Sequence, residues 1–192
     1  DNRVKKEFYS NQKEGGVYRC NGLKKIPWDL EGDWMVLARI NDVKKELQQE
    51  ARNLSLYYQD VKGNKSFDPN QFLAIEYWNK ICDVFKRKFN EKDKKYFKKL
   101  MNEGVDLTKP PKIIIDTIHQ VKGGEADNVV LASKCNFPSH FDKKNLSEKV
   151  KELRVWYTGA TRSKNTLYLL STYHQYNFPL GKYYKLYEAN YV

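Results

Sequence analysis

No G-x-x-x-x-G-K-S/T phosphate loop occurs anywhere in these 192 residues, and a P-loop ATPase cannot cradle its triphosphate without one. A self-sufficient motor of that class is thereby excluded. Cysteine is scarce: Cys20, Cys82 and Cys135 are single, far apart and odd in number. That pattern argues against a disulfide framework or a zinc site and for idle thiols in a reducing compartment. There is no run of about 18 apolar residues and no signal-peptide pattern, so a soluble, intracellular, cytoplasmic protein with no membrane partner is expected. Neither an internal repeat nor a low-complexity tract interrupts the chain. The first residue is Asp rather than Met, and the chain is expected to be a piece of a longer protein.

Hydrophobic residues are plentiful, at 40%, with 14% aromatic, so a core can form and global disorder is not expected. The length suits one domain, residues 1–192, carrying a modest insertion. Lys plus Arg exceed Asp plus Glu, 35 against 24, for a net charge of +11. A surplus of this size favours a polyanionic partner, although solubilising surface charge gives the same sum.

Periodicity organises the chain into alternating strands and helices. Residues 1–30 hold one short strand at best. Trp34-Met35-Val36-Leu37-Ala38 is a compact apolar run suited to a buried parallel strand. Asn41 stands as an N-cap before Val43, Leu47, Ala51 and Leu54, whose spacing marks one helix face. Ser55-Leu56-Tyr57-Tyr58 can form the next strand, completing a βαβ unit. Asp68-Pro69-Asn70-Gln71 announces a second helix, and Asn90 with Asp93 a third, in which Tyr96, Phe97, Leu100 and Met101 are apolar and Gly104 is a left-handed stop. Together these make a helical insertion over residues 66–111. Lys112–Asp116, Val129–Ala132 and Thr166–Leu170 are further candidate core strands, and Ser147 caps a helix between the last two. The resulting fold class is α/β, a mostly parallel sheet with helices on both faces.

Two segments carry the chemistry. One is Thr117-Ile118-His119-Gln120-Val121-Lys122-Gly123-Gly124-Glu125-Ala126-Asp127; the other is Tyr157-Thr158-Gly159-Ala160-Thr161-Arg162. They resemble the fifth and sixth signature motifs of superfamily-one DNA helicases of the UvrD/Rep/PcrA type, with their T-x-H-x-x-K-G-x-E-x-D and Y-x-x-x-T-R runs. Arg39, in Leu37-Ala38-Arg39-Ile40-Asn41, resembles the fourth-motif arginine. The resemblance covers roughly residues 34–62 and 112–180. It implies the second, C-terminal RecA-like motor domain (P-loop NTPase-like) of an ATP hydrolase that translocates on single-stranded DNA.

The resemblance further implies that Arg162 and Arg39 contact the ATP γ-phosphate, a role suited to a rigid, permanently charged fork of donors. Gly123, Gly124 and Glu125 would be nucleotide contacts. Many relatives have Gly-Leu-Glu here, so Gly124 is a departure. Thr117, His119 and Lys122 combine a hydroxyl, an imidazole and a cation, a mixture that holds phosphates and single-stranded bases. Arg39, Thr117, His119 and Arg162 are all expected at the carboxyl ends of strands, where ligands gather in open parallel sheets. ATP with magnesium would be held jointly with an N-terminal motor domain that supplies the phosphate loop. No metal ligands are assigned to this chain. Single-stranded DNA and a duplex junction are the other implied partners. From Lys80 to Lys112 there are 11 basic and 5 acidic residues, and Lys88, Lys92, Lys95 and Lys99 would share a face of a continuous helix. The alternatives are a solvated basic face there, a helix-capping role for Arg162, a simple strand-end salt bridge for Arg39, an RNA-directed motor of the same architecture, and a RecA-like nucleic-acid-binding adaptor that never completes an ATPase.

Overall fold

The structure, a computed structural model, describes residues 15–59, 91–106, 111–121, 123–135, 145–171 and 177–178. Its elements are β1 (Gly16–Cys20), a short 3-10 turn (Leu23–Lys25), β2 (Trp34–Ala38), α1 (Asn41–Asn53), β3 (Tyr58–Gln59), α2 (Glu91–Asn102), β4 (Ile113–Thr117), β5 (Ala126–Ala132), α3 (Leu146–Ala160) and β6 (Ser163–Leu170). The six strands form one sheet in the order β1-β6-β5-β2-β4-β3, and every pairing is parallel. The α/β expectation therefore holds, with a fully rather than mostly parallel sheet among the described residues.

β2 explains why both faces are covered. All five of its residues are buried, and alternate side chains belong to different cores, as the period of two requires. Trp34, Val36 and Ala38 pack with Val43, Leu47 and Ala51 of α1 and Tyr96 and Leu100 of α2. Met35 and Leu37 pack with Trp156 and Ala160 of α3. Gly159 lets α3 come close to the sheet. A Cβ there would lie 3.0 Å from the Leu131 side chain and 3.2 Å from the Ile118 side chain, so the backbone of α3 packs directly on these two side chains, which would have to shift to admit a larger residue.

Element boundaries depart from the sequence reading where capping chemistry decides them. α1 does begin at Asn41, but its N-cap is the extended residue Ile40, and no side chain accepts a hydrogen bond there. For α3 the cap is Asn145 rather than Ser147. The Asn145 side chain accepts from the Glu148 amide at 3.0 Å, and the Glu148 carboxylate accepts from the Asn145 amide at 3.3 Å. This reciprocal box leaves Ser147 inside the first turn. The strand expected over Ser55–Tyr58 shrinks to Tyr58–Gln59, because Ser55 adopts φ 57° and the Leu56 amide bonds back to the Ala51 carbonyl at 2.9 Å. Those residues close the helix in a left-handed cap. Gly104, with φ 77°, ends α2 in the same way, and the Val105 amide reaches the Leu100 carbonyl at 3.0 Å. The βαβ unit is present, but β4 lies between β2 and β3.

The helix expected from Asp68 lies outside the described residues, as does Cys82. Cys135 is buried, and burial pushes the half-buried Cys20 thiol up to about 12. Among the described residues no helix is long and apolar enough to cross a membrane.

Candidate functional site

At the carboxyl edge of the sheet, Arg39 follows β2 and Thr117 ends β4. Ala38 and Thr117 are register partners, and the Ile118 amide donates to the Ala38 carbonyl at 2.9 Å. Arg39 and His119 are therefore carried by adjoining strand ends. His119 is exposed, whereas Thr117 is buried at the base of the turn. The Gln120 amide closes that turn on the Thr117 carbonyl at 3.0 Å. Lys122, expected to contribute a cation here, lies outside the described residues.

Three ion pairs lock this edge, each joining different elements. Arg39 grips Glu152 of α3 with both ends of its fork, Nε to Oε1 at 2.8 Å and NH2 to Oε2 at 3.0 Å. The hydrogen bond to Glu152 raises the Arg39 guanidinium above its already high ordinary value. Lys44 of α1 reaches Asp116 at 3.0 Å, and the same carboxylate oxygen accepts the Thr117 amide at 2.7 Å. Asp116 is fully buried. Lys134, just past β5, pairs with Glu46 of α1 at 2.7 Å.

Arg162 stands at the opposite edge. It was expected at a carboxyl end, yet it immediately precedes β6 in an all-parallel sheet, which puts it at the amino edge. Its carbonyl accepts the Ala126 amide at 3.0 Å, at the start of β5. Arg39 is level with the residue just past β5 and Arg162 with the residue just before it, so the two arginine backbones lie roughly 25 Å apart along the strand direction at about 3.3 Å per strand residue. This fold does not bring Arg39 and Arg162 to one point within the domain.

What the amino edge does assemble is Arg162 with Gly123, Gly124 and Glu125. Arg162 Nε donates to the Thr158 carbonyl and NH1 to the Gly124 carbonyl, each at 3.1 Å. The first bond is the helix-capping role weighed in the sequence. The second bridges the two motifs. A guanidinium has five N–H donors, and among the described residues NH2 has no partner, so capping and ligand contact are compatible. Glu125 is exposed beside them. Tyr157, at the last turn of α3, is 62% exposed, an unusual position for a large ring, and no other described residue covers it.

The departure at Gly124 proves harmless. Gly123 has φ 86°, a conformation that costs an L-residue about 1–2 kcal/mol. Gly124 does not have a positive φ, and a Cβ there would meet only the Val121 carbonyl at 3.4 Å and Met35 at 3.5 Å. Gly123→Ala should therefore lower stability by about 1–2 kcal/mol, while Gly124→Ala should be neutral or stabilise by up to about 1 kcal/mol. Urea denaturation of the two variants measures both, and equal losses would show that the turn tolerates no side chain at either position.

Glu152, Lys44 and Asp116 escaped the sequence reading. Asp116 did carry a signal, as a charge at the end of the β-branched run Ile113-Ile114-Ile115. Glu152 carried none, since an acidic residue on an amphipathic helix is ordinarily solvated.

Residues 99–175 match the family described as UvrD-like helicase C-terminal domain. No curated protein matches the chain. The matched segment holds β4, β5, α3 and β6 together with both motifs, so the match supports a UvrD-type helicase C-terminal domain over residues 99–175, consistent with the α/β RecA-like fold of the sheet.

Proposed function

We propose that this domain is the C-terminal half of an ATP-dependent helicase motor that steps along single-stranded DNA. The observation that carries the reading is the division of motif residues onto two edges joined by one helix. The amino edge, with Gly123, Gly124, Glu125 and Arg162, would close over ATP and magnesium held chiefly by a partner motor domain. There Arg162 would meet the negative charge that develops on the transferred phosphate. The carboxyl edge, with Thr117 and His119, would hold the strand, with Lys122 of the same motif as a further contact by the family resemblance alone. α3 starts near the second edge and ends at the first. The exposed ring of Tyr157 is then accounted for as surface that the partner domain covers. Lys92, Lys95 and Lys98, exposed along α2, support a contact with the duplex ahead of the strand.

The chain on its own should bind a single-stranded oligonucleotide with steep salt dependence, because its net charge of +11 releases condensed counterions. His119→Ala should weaken that binding, and no steady ATP turnover should accompany it. A fluorescence titration and a phosphate-release assay test both points; turnover by the isolated chain, or binding indifferent to salt, would count against the reading. The absent phosphate loop also suits an adaptor that binds nucleic acid without ever completing an ATPase. Adding an ATP-holding motor domain separates the two, since only the motor half would raise that domain's turnover.

A further inference from the structure

The carboxyl edge contains more cation than the two motifs account for, and its ion pairs are not alike. Lys44 sits on a fully buried carboxylate and is itself only 12% exposed, so moving it would strand a charge in the core. Arg39 differs. Its side chain is 25% exposed and its partner Glu152 is 16% exposed, so solvent, or a ligand, reaches one side of the pair. The pair is also bidentate, and a phosphate presents the same two-oxygen geometry to a guanidinium that a carboxylate does. Through the hydrogen bond from Ile118 to Ala38, Arg39 lies beside the turn that carries His119.

We infer that Arg39 is a ligand for a nucleic-acid backbone phosphate, and that Glu152 is a built-in competitor for the same guanidinium. This rests on the nucleic-acid reading of the carboxyl edge. It assigns Arg39 to the strand rather than to the ATP γ-phosphate, in keeping with its distance from Arg162. When a phosphate oxygen pair replaces the Glu152 carboxylate, two charge-assisted hydrogen bonds are exchanged for two of the same kind. The carboxylate turns to water. The exchange frees the middle of α3 from its tie to the residue that follows β2.

The test is the sign of two charge-removing substitutions, read by anisotropy of a fluorescent oligothymidylate at several salt concentrations. Glu152→Gln removes the competitor and should tighten binding roughly 5-fold. Arg39→Gln should weaken it by a similar factor and flatten the salt slope by about one phosphate. The double variant should behave like Arg39→Gln alone, because the competitor has nothing left to compete for. A merely structural pair predicts otherwise, with both single variants loosening the edge and weakening binding. Equal or weaker binding by Glu152→Gln, with the parent chain binding normally, would overturn the inference and leave the nucleic-acid reading standing. No binding by the parent chain, even at low salt, would overturn both. Should Glu152→Gln fail to fold, Glu152→Asp draws the carboxylate back by one methylene and carries the same expected sign.

Discussion

Replacing Arg162 with alanine, in a motor assembled from this domain and its ATP-holding partner, should lower ATP turnover by roughly 10³-fold or more, the range found for arginine fingers. Nucleotide affinity should change far less, because the charge that a finger meets develops mainly in the transition state. The structure supplies the reason for expecting an effect of this size. Arg162 is held before any ligand arrives, Nε on the Thr158 carbonyl and NH1 on the Gly124 carbonyl, so little rotamer freedom remains to be lost. Its NH2 group is left over among the described residues. Arg162→Lys separates charge from geometry: an ammonium keeps the charge but cannot hold two carbonyls and a phosphate in one plane. Lysine should therefore recover only a small part of the lost rate. Single-turnover measurements with and without nucleic acid check this. If Arg162→Ala turns over at the parent rate, the residue is only the C-terminal cap of α3.

The parts of this fold that were legible in the sequence are those governed by short-range periodicity. Trp34–Ala38 reads as a strand because all five side chains are apolar, and it is a strand because both of its faces are covered. The spacing of Val43, Leu47 and Ala51 identified the buried face of α1 for the same reason. Caps were less legible, since Asn145 and Ser147 are both good N-cap residues, and the choice between them was settled by Glu148, three residues beyond Asn145. Which residues share a site depends on strand direction and order, which periodicity does not reveal. Arg39 and Arg162 seemed to belong together because one family motif set contains both. With all six strands parallel, a residue after β2 and a residue before β6 fall on opposite edges of the sheet. Arg39 instead found Glu152, 113 residues away in sequence, and nothing local in either segment announces that contact.

The buried pair beneath the Thr117–His119 turn should produce the largest change in stability. Asp116 is 0% exposed, and one of its carboxylate oxygens accepts from both Lys44 Nζ at 3.0 Å and the Thr117 amide at 2.7 Å. A charge taken out of water this completely is tolerable only while its partners remain. Lys44→Met keeps the length and apolar stem of the side chain and deletes the cation. It should cost about 3–5 kcal/mol, as for other broken buried pairs. A domain of ordinary stability has only about 5–15 kcal/mol in all, so much of the margin would be gone. Asp116→Asn in the same chain removes the stranded charge yet keeps an oxygen to accept the Thr117 amide, and it should restore at least about half of the loss. Urea denaturation of the parent, both single variants and the double variant closes the cycle. A Lys44→Met cost below about 1 kcal/mol, the size of an exposed pair, would mean that the pair is effectively solvated. The same substitution reaches function through the Thr117 amide, because the turn that carries His119 is held from below by this carboxylate. Conditions that keep Lys44→Met folded should therefore still show weaker binding of a single-stranded oligonucleotide than the parent, with Lys44→Met/Asp116→Asn in between.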